Sequence, residues 1–195
     1  MKGLFIFPVL LSYLFGIPAF ADIQKGLDAY KSGDYATALK EWKPLADQGH
    51  AVAQYNLGIG YANGKGVIQD YKGALKWFKL AAKQGHAEAQ YNLGIGYAKG
   101  KGVIQDYKGA LKWFKLAAKQ GHAKAQYNLG VGYANGNGVI QDYTLAHMWI
   151  NIAASQANVN WMKYRDIIAE KMTPSQIEKA QQLAQECEAK NYKGC

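Results

Sequence analysis

The 22-residue string GVIQDYKGALKWFKLAAKQGHA at residues 66–87 is spelled again without change at residues 102–123. Framed at the QGH turns, the chain holds three successive units of 36 residues, 51–86, 87–122 and 123–158. Units one and two differ only at Val52 against Glu88 and at Asn63 against Lys99. A fixed period in this range marks stacked modules, because one module cannot bury its own apolar face and neighbouring copies bury each other's.

Each unit carries two helical patterns. In AVAQYNLGIGYA, Ala53, Leu57 and Tyr61 recur at i, i+4 and i+8, with Gln54 and Gly58 beside them. Gly64 and Gly66 break that helix and favour a left-handed cap. Asp70 then stands as an N-cap before a second helix with the apolar stripe Tyr71, Ala74, Trp77, Phe78, Ala81 and Ala82, closed by Gly85. Sustained alternation is absent, so the expected class is all-α. The aromatic residues read as packing material between units rather than as a cofactor box. Gly58, Gly94 and Gly130 each cost about 1 kcal/mol inside a helix, a loss that fits close approach of a neighbouring helix. Nothing in the sequence explains Gly60, Gly96 and Gly132.

The repeated stretch AQYNLGxxYxxGxGVxxDYxxAxxWxxxAAxxG, with AQYNLGVGYANGNGVIQDYTLAHMWINIAA in the third unit, resembles the Sel1-like repeats, a branch of the tetratricopeptide-like α-solenoids. GDYATALKEWKPLADQGHA, at residues 33–51, resembles the second half of an earlier, degenerate unit. The resemblance implies a right-handed α-solenoid of stacked antiparallel helix pairs. It also implies a non-catalytic protein–protein interaction scaffold whose partner lies in the concave groove. Some cysteine-rich members of the family have been described as binding penicillin or hydrolysing β-lactams, so the alternative is a β-lactam- or peptidoglycan-handling enzyme. Here the repeat units contain no cysteine, and no SxxK, GxSxG, HExxH or phosphate-cradling loop is present.

The ends read differently from the middle. Lys2, an apolar run at residues 4–15 and the small-x-small site Ala19-Phe20-Ala21 form a signal peptide over residues 1–21. That run is shorter than the about 20 residues a membrane span needs. A periplasmic or secreted protein is expected, with an N-terminal half-repeat or cap over 22–50 and a C-terminal helical cap over 159–195. In that cap Thr173, Pro174 and Gln176 open a last helix extending to about Lys190. Cys187 and Cys195 are the only cysteines, and in an oxidising compartment they read as one disulfide. No metal or other cofactor is expected.

Net charge is +9. It is concentrated in units one and two, where Lys72, Lys76, Lys79, Lys83 and Lys108, Lys112, Lys115, Lys119 each form a basic helix face. These faces are solvated or meet an anionic surface such as lipid headgroups; no nucleic-acid module accompanies them. His50, His86 and His122 recur at one turn position and read as caps on the preceding helix C-terminus. At about 100° per residue, the non-core face of each first helix shows Tyr55, Asn56 and Ile59, then Tyr91, Asn92 and Ile95, then Tyr127, Asn128 and Val131. These nine are the expected partner-binding residues, because tyrosine and asparagine supply stiff contact area and adaptable hydrogen bonds. The two differences between units one and two fall on the same face.

Overall fold

The computed structural model describes residues 16–155 and 158–195. The apolar run of the expected signal peptide lies outside the described residues. Among the described residues ten helices follow in order: α1 (Gly16–Ser32), α2 (Tyr35–Asp47), α3 (Ala51–Asn63), α4 (Tyr71–Lys83), α5 (Ala87–Lys99), α6 (Tyr107–Ala118), α7 (Ala123–Asn135), α8 (Tyr143–Ala154), α9 (Val159–Ala169) and α10 (Pro174–Ala189). Among the described residues there is no strand. Each helix from α1 to α8 packs on the next, while α10 returns to lie on α8. The result is an all-α solenoid. No described helix is long and apolar enough to cross a membrane.

Local chemistry sets the helix ends. Gly64, Gly100 and Gly136 terminate α3, α5 and α7 at φ of 65°, 64° and 68°, a left-handed conformation that a side chain would strain. Asp106 and Asp142 accept from the Gly109 and Leu145 amides and so cap α6 and α8; Asp70 occupies the same position before α4 without that bond. Thr173 and Gln176 form the expected capping box at α10.

The core is a column of similar layers. Ala53 and Leu57 of α3, with Ala74 and Phe78 of α4, are buried, and their counterparts Ala89, Leu93, Ala110 and Phe114 repeat the layer. A Cβ built on Gly58 would stand 2.5 Å from a ring carbon of Phe78, and one on Gly94 2.6 Å from Phe114. These glycines therefore let the two helices of a unit close on each other. Gly60, Gly96 and Gly132 do the same between units. A side chain there would enter the space held by Leu39, Leu75 and Leu111, each from the second helix of the preceding pair. One glycine thus closes the pair and another, two residues on, closes the stack.

A ladder of glutamines ties the apolar layers. Gln54 donates to the Ala46 carbonyl across a turn, and Gln90 and Gln126 donate to Ala82 and Ala118 in the same way. Gln84 then donates to the Gln54 side-chain oxygen, and Gln120 to that of Gln90, both at 2.8 Å. Gln54 and Gln90 thus have both ends of their buried amides bonded, which fixes the register of successive units, whereas the buried Gln126 oxygen at the end of the ladder has no partner among the described residues.

Ahead of the repeats, α1 packs on α2. The Trp42 indole lies over Gly26 and donates to the Ile23 carbonyl at 3.3 Å. Behind them, Cys187 and Cys195 are joined as a disulfide, with Cα atoms 5.6 Å apart.

Candidate partner-binding groove

The nine expected contact residues separate into two sets. Ile59, Asn92 and Ile95 come together in one recess between α3, α4 and α5, a cavity of about 290 Å³ also walled by Tyr71, Leu75 and Lys101. One period on, Asn128 and Val131 line a second recess of about 110 Å³ with Tyr107, Leu111 and Asn137. The two recesses are the same structural position repeated, so the groove is modular.

The tyrosines do not line these recesses. Tyr55 stacks on His86 and Tyr91 on His122, each pair with ring centroids 4.7 Å apart. Tyr127 stacks on Trp161 at 5.1 Å. Their rings also lean on the core, since Tyr55 and Tyr91 lie 6.0 Å from Phe78 and Phe114. Burial raises the pKa of all three hydroxyls. Asn92 sits beside the Tyr55 hydroxyl and Asn128 beside that of Tyr91, so the tyrosine–asparagine contact crosses from one unit to the next. Asn56, the counterpart in unit one, is buried.

Two of the three turn histidines act at the opposite end from the one expected, and His50 makes no side-chain cap bond. His86 and His122 accept through Nδ1 from the Ala89 and Ala125 amides, capping the helix that follows rather than the one before. The cause is backbone geometry: these residues are extended, with φ of −65° and −71°, which aims the side chain forward over the next helix's free amides. His122 Nε2 then meets Glu88 at 3.1 Å. Glu88 is thus the point where one of the two differences between units has a structural consequence, because Val52 offers His86 no such partner.

Several groove residues lie outside the predicted face. Tyr71, Leu75 and Lys101 belong to the second helix and the loop, which a face count on the first helix cannot reach. Lys101 holds its ammonium 4.8 Å from the Tyr71 ring centre, a cation–π contact. Asn137 occupies the equivalent place in unit three. The glutamine ladder was legible in principle: Gln54, Gln90 and Gln126 interrupt an apolar face three times at one offset.

All eight stripe lysines lie on the outer sides of α4 and α6 and in the turn after α6, and all but Lys119 are exposed. Among the described residues none of them forms an ion pair. No cluster of three or more potential metal ligands occurs among the described residues.

The Sel1 repeat family matches at residues 51–86, 87–122 and 123–158, more than half of the chain. The chain belongs to the Sel1 repeat family. A Sel1 repeat protein from Oxalobacter formigenes is similar in structure, with a TM-score of 0.70 and 34% identity over 77% of this chain and 45% of its own. A protective antigen of uropathogenic Escherichia coli strains displaying an SLR fold is similar at a TM-score of 0.62 and 28% identity, over 89% of this chain and 47% of that one. The chain therefore spans under half the length of both structures. No curated protein matches it. Sel1 repeats typically form protein–protein interaction scaffolds.

Proposed function

We propose that this Sel1-repeat chain is a non-catalytic scaffold of the periplasm or secreted space that holds a protein partner along the groove of α3, α5 and α7. The observation that carries this reading is the pair of recesses one period apart, each offering an asparagine amide beside an aliphatic side chain. Such a site suits an extended segment that presents an apolar side chain and a backbone amide at each step. The disulfide at the C-terminus and the signal-peptide pattern support export. The test is capture of a partner from envelope extract by the wild-type chain and by Asn92→Ala with Ile95→Ala. The double variant should lose the partner with unchanged circular dichroism, and retention of the partner would overturn the groove. The same purified chain should leave nitrocefin unhydrolysed; turnover abolished by one point change would favour the β-lactam-handling alternative.

A second reading is supported by the unpaired lysines of units one and two, which would draw the chain to an anionic surface. Replacing all eight by Gln should abolish binding to anionic vesicles.

A further inference from the structure

Ile68, Ile104 and Ile140 are 92%, 89% and 90% exposed, the most open large apolar side chains of the repeats. Each sits in the loop between the two helices of its unit, and each loop is rigidly held. Gln69, Gln105 and Gln141 donate to the Ala62, Ala98 and Ala134 carbonyls. The Asp70, Asp106 and Asp142 amides bond back to Tyr61, Tyr97 and Tyr133. Gly66, Gly102 and Gly138 press onto the backbone at the start of the preceding pair's second helix. The isoleucines are thus fixed outward on well-anchored loops, one per unit.

The same contacts set what stands between them. Gly102 lies against the backbone of Tyr71 and Lys72, and Gly138 against that of Tyr107 and Lys108. A recess is walled by Lys72, Lys76 and Lys79 on one side and by Gly102 and Val103 on the other, so the lysine face of α4 adjoins the loop carrying Ile104. Along this edge the order is Ile68, Lys72, Ile104, Lys108, Ile140. Two of the three loop acids do not cancel the lysines, since Asp106 and Asp142 point their carboxylates at helix N-termini, where the amide ends balance them; Asp70 makes no such bond.

We infer that this edge is a membrane-contacting edge, in which the isoleucines enter the acyl boundary of an anionic bilayer while Lys72 and Lys108 remain at its headgroups. Single apolar side chains separated by lysines form no groove for a peptide, whereas a bilayer needs only depth and negative charge. The inference rests on the anionic-surface reading of the lysines and adds the residues that insert.

The test compares the full chain with Ile68→Asn, Ile104→Asn, Ile140→Asn together, by cosedimentation with vesicles of phosphatidylcholine alone or with about 30 mol% phosphatidylglycerol. The wild type should bind only the anionic vesicles, and the triple variant should bind them about tenfold or more weakly. Its circular dichroism should be unchanged, because these side chains are open to solvent. A fluorophore on Ile104→Cys should shift to the blue on binding. Equal binding by wild type and triple variant overturns the inserted edge but leaves the lysine reading standing. Absence of wild-type binding overturns both, as does loss of a protein partner in the triple variant without any vesicle binding.

Discussion

The Tyr91 ring lies nearly flat on the His122 imidazole, planes 23° from parallel, and Tyr55 repeats the stack on His86 at 21°. Each stack ties the first helix of one unit to the turn that starts the next, because the same histidine caps the following helix through Nδ1. Residues expected to be free for a guest thus hold the array together. Tyr91→Ala should cost about 2–4 kcal/mol of stability, as removal of a half-buried aromatic does, read as a lower urea midpoint. Asn92→Ala should cost less than about 1 kcal/mol.

The exchange of Val52 for Glu88 offers a test of how units communicate. Burial lowers the pKa of His86 below its ordinary 6.5, with Glu88 acting weakly the other way. Val52→Glu places a carboxylate where Glu88 stands relative to His122 and should raise the His86 pKa, measured by proton NMR titration. An unmoved titration would show that the carboxylate does not reach the ring.

The two glycine series separate two kinds of packing. Gly94→Ala sets a methyl against the buried Phe114 ring and 3.2 Å from the Ala110 carbonyl, so the methyl is wedged between a core ring and helix backbone. A net loss of about 1–3 kcal/mol is expected despite the helix-propensity gain of about 1 kcal/mol. Gly96→Ala meets the end of the half-buried Leu75 side chain, which can rotate away. That variant should lie within about 1 kcal/mol of wild type.

Much of this architecture was legible because a period and its turn glycines are written in single letters. The helix pairs, the left-handed caps at Gly64 and Gly100 and the capping box at Thr173 follow from local rules. The site was less legible. A face count treats a helix as a free cylinder, and so placed Tyr55 and Asn92 on one surface. In the stack Tyr55 is claimed by His86 and Asn92 opens into a recess completed by Tyr71 and Lys101 from other elements. Gly96 needed Leu75, 21 residues earlier, before its absence of a side chain had a cause.

The C-terminal disulfide should stabilise locally. A loop this short contributes about 2–3 kcal/mol by chain entropy, and Tyr192 within it packs 3.2 Å from the Cβ position of Gly121. Cys187→Ser with Cys195→Ser should speed amide hydrogen exchange at the end of α10 while leaving α3 to α6 protected as before. Equal acceleration throughout would mean that the clasp supports the whole array.

His147 makes the end of the array sensitive to acid. It stands on α8 two periods after Leu75, is 3% exposed, and its Nδ1 has no hydrogen-bond partner among the described residues. Burial lowers its pKa from 6.5, the Arg165 charge lowers it further, and Asp166 acts weakly the other way. A neutral native histidine that charges more readily when unfolded gives stability that is complete above the ordinary value of 6.5. That stability is lost as pH falls from there through the lower folded value. His147→Leu restores the residue of units one and two and removes the titrating ring. The variant should be more stable than wild type at pH about 5 by roughly 1 kcal/mol or more, with the gap narrowing toward neutral pH. His86 is displaced in the same direction and remains, so urea midpoints of the variant should still decline on acidification, less steeply than those of the wild type.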